Sequence, residues 1–166
     1  MRTLIACLIL VASVGAAQAA TPDWGPFSWL VGRWTGAGGA SAMQGGGGFS
    51  FLPEAGGTVL VRKNVADYPA QGGRPAQHHE DLMVIYREGG AVRATYWDSE
   101  GQTIHYAVSA PSPDAAVFLS DDPAGPRFRL TYRRTPQGLT GGFEIAAPPA
   151  RDQFRDYLTW TALRAR

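Results

Sequence analysis

The stretch Trp29-Leu30-Val31-Gly32-Arg33-Trp34-Thr35-Gly36-Ala37-Gly38 decides the fold of this 166-residue chain. The segment Pro26-Phe27-Ser28-Trp29-Leu30 predicts a short helical turn. Gly32-Arg33-Trp34 then opens a strand, with Trp34 placed to cap one end of the body that follows. Gly36 and Gly38 are two apart and share a face, where a sharply coiled first strand can bend past its neighbours.

Downstream, short runs rich in Val, Thr, Tyr, Phe and Trp recur about every 8 to 15 residues, divided by Gly, Pro and Asp clusters. No internal repeat or long helical period is visible. The runs predict strands at 33–38, 48–52, 58–66, 81–87, 91–97, 102–109, 116–120, 127–134, 139–146 and 154–164. About ten sequential strands on short turns make an antiparallel up-and-down meander, which loses its open edges by closing into a barrel. A sandwich is the alternative. A membrane barrel fits less well, because the strands are short, charges fall on both faces, and the chain ends Arg164-Ala165-Arg166 without an aromatic anchor.

Alternation separates inside from outside. Phe128, Leu130 and Tyr132 oppose Arg127, Arg129, Thr131 and Arg133. Val92, Ala94 and Tyr96 oppose Arg93, Thr95 and Trp97, while Ile104, Tyr106 and Val108 oppose Thr103, His105 and Ala107. In the last strand Phe154, Leu158, Trp160 and Ala162 are expected inside, sharing their face with Asp156 and Arg164.

Residues 1–20, MRTLIACLILVASVGAAQAA, read as a signal peptide: an early Arg2, an uncharged apolar core, then Ala17-Gln18-Ala19 before the cleavage point. The apolar run falls short of the roughly 20 residues that span a bilayer. The mature domain is expected to be residues 21–166, exported to the periplasm or the extracellular space. The single cysteine, Cys7, lies within the signal, so no disulfide supports the mature fold. Without Arg2 the 15 basic residues become 14, against 14 acidic ones. That balance argues against a nucleic-acid partner.

The opening Leu-x-Gly-x-Trp-x-Gly-x-Gly pattern, Leu30 to Gly38, resembles the first strand of calycin-type barrels: lipocalins, fatty-acid-binding proteins and, most closely, nitrobindin-like haem-binding barrels. The resemblance implies a ten-stranded barrel whose closure involves Gly32 and Trp34, with Arg164 packed over the Trp34 indole. Guanidinium stacking of that kind contributes about 0.5–2 kcal/mol. It also implies a haem-ligating histidine in the closing strand, but RDQFRDYLTWTALRAR, residues 151–166, contains none. No cofactor is therefore expected.

Other motif chemistry is thin. Gly45-Gly46-Gly47-Gly48 lacks the Lys-Ser/Thr of a phosphate loop, and Phe49 opens a strand rather than a helix. No Gly-x-Ser-x-Gly elbow exists. Asp98-Ser99-Glu100-Gly101 has ordinary hairpin-turn chemistry. His78-His79-Glu80-Asp81 puts His79 and Asp81 on one strand face and His78 and Glu80 on the other. One histidine and one carboxylate make half a zinc site, and His105 is expected to face outward, so no metal site is expected. The stretch is expected to form a polar strand entrance at the barrel rim. There Asp81, about 7 Å along the backbone, would raise the His79 pKa only mildly through water.

These features point to a barrel that binds a small apolar or amphipathic molecule. The candidate contacts are Tyr96, Tyr106, Tyr132 and Trp160, with His79 at the rim. Small barrels can also pack their interiors completely, giving a structural or interaction module of the envelope. A barrel-based enzyme using His79 beside Asp81 is the third option, favoured by a further titratable group within reach of His79. A cavity of roughly 300 Å3 or more would favour binding or catalysis.

Overall fold

The computed structural model describes residues 23–37 and 46–166. The signal-peptide segment, Gly38 and Gly45 lie outside the described residues. A 3-10 turn, Gly25–Leu30, leads into β1 (Gly32–Gly36). There follow β2 (Gly46–Glu54), a 3-10 turn (Ala55–Gly57), β3 (Val59–Tyr68), β4 (Gln77–Glu88) and β5 (Ala91–Asp98). The set finishes with β6 (Thr103–Ser112), β7 (Ala115–Ser120), β8 (Arg127–Arg134), β9 (Leu139–Ala146) and β10 (Arg155–Arg164). Each strand pairs antiparallel with its sequence neighbours, and β10 returns to β1, so the sheet is a closed ten-stranded barrel. Among the described residues no helix is long and apolar enough to cross a membrane.

Closure rests on three residue pairs, Trp34 with Arg164, Thr35 with Leu163 and Gly36 with Ala162. The Arg164 guanidinium lies 4.5 Å from the Trp34 ring centroid and donates to the carbonyls of Val31 (2.8 Å) and Trp29 (3.2 Å). Trp34 Nε1 donates to the Leu30 carbonyl at 2.9 Å. Gly32 has φ +136°, and a Cβ there would overlap the Arg164 guanidinium, so backbone conformation and space both require glycine. Trp24, Phe27 and Leu30 are buried beneath this junction, and together with Trp34 they seal one end of the barrel.

The interior is aromatic. Tyr132 is ringed by Phe51 (5.3 Å between centroids), Phe49 (5.9 Å), Trp160 (5.9 Å) and Phe118 (6.0 Å), and Phe118 meets Tyr106 at 6.2 Å. Leu60, Met83, Ile85 and Leu139 are fully enclosed beside them. Trp160 fits because its cross-strand partner is Gly141, where a Cβ would run into the indole.

Two expectations change. The last strand does not keep one alternation throughout. Its register against β9 shifts between Asp156 and Leu158, leaving Tyr157 as the extra residue. Such a bulge moves everything before it to the other face. Asp156 therefore pairs with outward Glu144, and the Phe154 ring lies 4.2 Å beneath the outer-face Arg129 guanidinium. Leu158, Trp160 and Ala162 do continue the inner face. The second change is in β4, which starts at Gln77 and includes all of His78-His79-Glu80-Asp81. The long β3 offers a ladder to Tyr68, and pairing with it outweighs the polar composition of the stretch.

Candidate functional site

The end opposite the Trp34 seal, where β3 stops and β4 and β10 begin, has a different lining. Register places Asn64 of β3 opposite Asp81 of β4, and Asp81 opposite Asp98 of β5. Arg62, one inward position deeper on β3, is only 5% exposed. Its guanidinium forms an ion pair with Asp81, whose side chain is 4% exposed. Asn64 Nδ2 donates to the second carboxylate oxygen at 2.8 Å. Burial alone would raise the Asp81 carboxyl, but Arg62 and the hydrogen bonds from His79 and Asn64 hold it below the ordinary carboxylate range.

His79 continues this chain toward solvent. Its Nε2 is 3.3 Å from Asp81 Oδ2, and its Nδ1 is 2.9 Å from a Glu100 carboxylate oxygen. The hydrogen bond to Asp81, helped by Glu100 and opposed by partial burial, raises the His79 pKa to about 9. The mild bias expected from a wet rim is therefore corrected. The Asp81 side chain turns inward, out of water, where its attraction is screened far less. Glu100 belongs to the Asp98-Ser99-Glu100-Gly101 hairpin. That segment is a turn, and it also folds back onto β4, where the Ser99 hydroxyl accepts from the Glu80 N–H at 3.2 Å.

Tyr96 is half-buried on the inner face. Its hydroxyl donates to Asp98 Oδ2 at 3.2 Å and lies 3.5 Å from His79 Nε2. Trp160 is also half-buried, as are Phe128 and Phe143, whose rings stack at 5.7 Å. Tyr106 and Tyr132 are different. Both are enclosed in the aromatic centre, and burial pushes the Tyr132 phenol up to about 12. His79, Tyr96 and Trp160 thus stand at the open half, and Tyr106 and Tyr132 beneath it.

His78 faces out between Asp67 (2.7 Å) and Glu80 (3.1 Å), and His105 faces out beside Thr95 Oγ1 (3.3 Å). Among the described residues no group of three His, Cys, Asp or Glu is disposed to hold a metal ion. Among the described residues, open clefts of about 600 and 320 Å3 occur. One lies between Trp29 and Pro111 at the sealed end, the other between Tyr68 and His78 at the rim. Neither is lined by a fully buried residue.

The residues that alternation alone left unmarked are Arg62, Asn64, Asp98 and Glu100. A signal for the Arg62–Asp81 pair did exist. Arg62 has the parity of inward Leu60, and Asp81 that of inward Met83, on consecutive strands. Opposite charges on two inward faces suggest a buried pair. No family model matches the chain, and no curated protein does.

Proposed function

We propose that the chain is exported after loss of residues 1–20 and that its barrel, similar in architecture to the calycins, binds a small, largely apolar molecule in its open half. One observation carries this reading. Around the Arg62–Asp81–His79 chain, the inward-facing aromatics Tyr96, Phe128, Phe143 and Trp160 are only partly buried, whereas Trp24, Phe27, Leu30 and Trp34 at the far end are buried. Apolar rings left wet inside a concave wall, with a few converging polar groups, are what small-molecule sites use. The Arg62–Asp81–His79 chain would orient the guest, and the rings would supply most of the affinity.

The same rim supports a second reading, a barrel-based enzyme, because Glu100 adds a third titratable group within reach of His79. A histidinium clamped by two carboxylates suits a proton donor better than a base at neutral pH.

Native mass spectrometry of protein purified from the exported fraction of its own host tests the binding reading. A co-purifying molecule that leaves on solvent extraction is expected. Saturable quenching of tryptophan fluorescence by the neutral probe N-phenyl-1-naphthylamine is expected as well. Finding neither would leave a filled structural module.

A further inference from the structure

Two donor protons in the centre of the barrel lack an acceptor. Among the described residues, Arg62 Nε and the Tyr132 hydroxyl are buried without a hydrogen bond of full geometry, as are the Trp24 and Trp29 indole N–H groups. The Tyr132 oxygen lies within reach of the Arg62 guanidinium as an acceptor, which leaves the Tyr132 proton and the Arg62 Nε–H without one. Leaving such a group unmet costs about 1–3 kcal/mol, so native interiors rarely tolerate two together. They are neighbours. Arg62 is the cross-strand partner of Phe51, whose ring is 5.3 Å from that of Tyr132. The Arg62 guanidinium lies 5.5 Å from the Phe49 centroid, and Tyr132 packs on the same ring at 5.9 Å. Directly beside Tyr132 stands Trp160, part of the solvent-accessible wall.

We propose that the guest is an uncharged molecule whose carbonyl-type oxygen accepts from Arg62 Nε and the Tyr132 hydroxyl, while its apolar body lies against Trp160, Phe143 and Phe128. This assignment rests on the ligand-binding proposal and adds the chemistry of the guest. The need for an acceptor follows from the donors. Arg62 Nε can only donate, and a phenol donates readily, so one oxygen between them satisfies both.

The absence of charge follows from what already surrounds the site. Two cations, Arg62 and His79, face three carboxylates, Asp81, Asp98 and Glu100, a local balance of 2 − 3 = −1. The Arg62 charge is committed to Asp81 within the protein. A carboxylate or phosphate on the guest would have to be desolvated next to Asp81 and Asp98 with no free cation to receive it. A ketone, ester or amide oxygen meets both donors without that penalty.

Three naphthalenes of similar shape test this: 2-acetylnaphthalene (ketone), 2-naphthoate (anion) and 2-ethylnaphthalene (no acceptor). Each is titrated at neutral pH into the mature protein and into Tyr132→Phe, read by tryptophan quenching and calorimetry. The ketone is expected to bind about 10-fold more tightly than either of the others, the value of a satisfied buried donor. Tyr132→Phe is expected to weaken the ketone by about 3- to 10-fold and leave 2-ethylnaphthalene unchanged.

Tighter binding of 2-naphthoate overturns the uncharged assignment. Equal binding of all three, or ketone affinity unmoved by Tyr132→Phe, overturns the acceptor assignment while ligand binding itself survives. If that variant fails to fold, the wild-type ranking of the three still decides. Failure of all three to bind brings down the ligand-binding proposal and this one with it.

Discussion

His79→Gln isolates the most strongly shifted group at the rim. In the fold His79 titrates near 9, against 6.5 for the unperturbed side chain, a difference of about 2.5 units. At about 1.36 kcal/mol per unit the ceiling is about 3.4 kcal/mol. The His79 side chain is 24% exposed and that of its partner Glu100 is 51% exposed, so water weakens the interaction. An effect of about 1.5–2 kcal/mol is expected. The sign follows from proton binding. Between about pH 6.5 and 9 the folded protein holds a proton that the unfolded chain has lost. The stabilisation is therefore complete below about pH 6.5, falls as pH rises through 9, and is gone above it. Urea titrations of both proteins from about pH 6 to 10 measure this as a shrinking advantage of wild type. Burial raises Tyr96, Tyr106 and Tyr132 in both proteins, so their effect near the alkaline end cancels in the difference. A wild-type advantage constant to within about 0.5 kcal/mol across the range would refute the coupling of His79 to Asp81 and Glu100.

Trp34→Ala should cost about 3–5 kcal/mol in urea, and a loss below about 1 kcal/mol would mean that the indole does not seal the barrel. Gly32→Ala should destabilise by about 1–3 kcal/mol through its positive φ and the Arg164 overlap. A double-mutant cycle with Arg164→Ala should recover the steric part and leave the φ part, whereas strict additivity would contradict the contact. Arg62→Met alone should cost about 3–5 kcal/mol by stranding Asp81, while Arg62→Met with Asp81→Leu should cost far less, and equal losses would count against a buried pair. Hemin should give weak, non-saturating Soret changes, because β10 offers no histidine. A stoichiometric histidine-ligated spectrum would promote His78, His79 or His105 to axial ligand.

Most of the fold was legible in local signals. Strands β8 and β9 fall at Arg127–Arg134 and Leu139–Ala146, the bounds expected from alternation between Gly- and Pro-bearing turns. The Phe128, Leu130, Tyr132 alternation keeps its faces because a strand of regular register needs only period two to orient its side chains. The polar site was hardly legible. His78-His79-Glu80-Asp81 reads as a doorway when taken alone. It becomes part of a strand because β3 is long enough to pair with it.

The sequence by itself determined an all-β chain of about ten strands in meander order, begun by Gly32-x-Trp34; closure onto Arg164 was implied only by the resemblance of that opening to calycin barrels. Turn residues and alternation act over a few positions, so their effect can be read without knowing what lies across the barrel. Only the tertiary structure decided which polar groups meet. Arg62 and Asp81 are 19 positions apart, and His79 and Glu100 are 21 apart. Each pair is set by the stagger of neighbouring strands around a closed ring. The bulge at Tyr157 likewise answers to closure, since β10 must match both β9 and β1 at once. Burial then did what composition could not, turning a rim aspartate into the buried centre of an ion chain and leaving the Arg62 Nε–H and the Tyr132 proton without an acceptor.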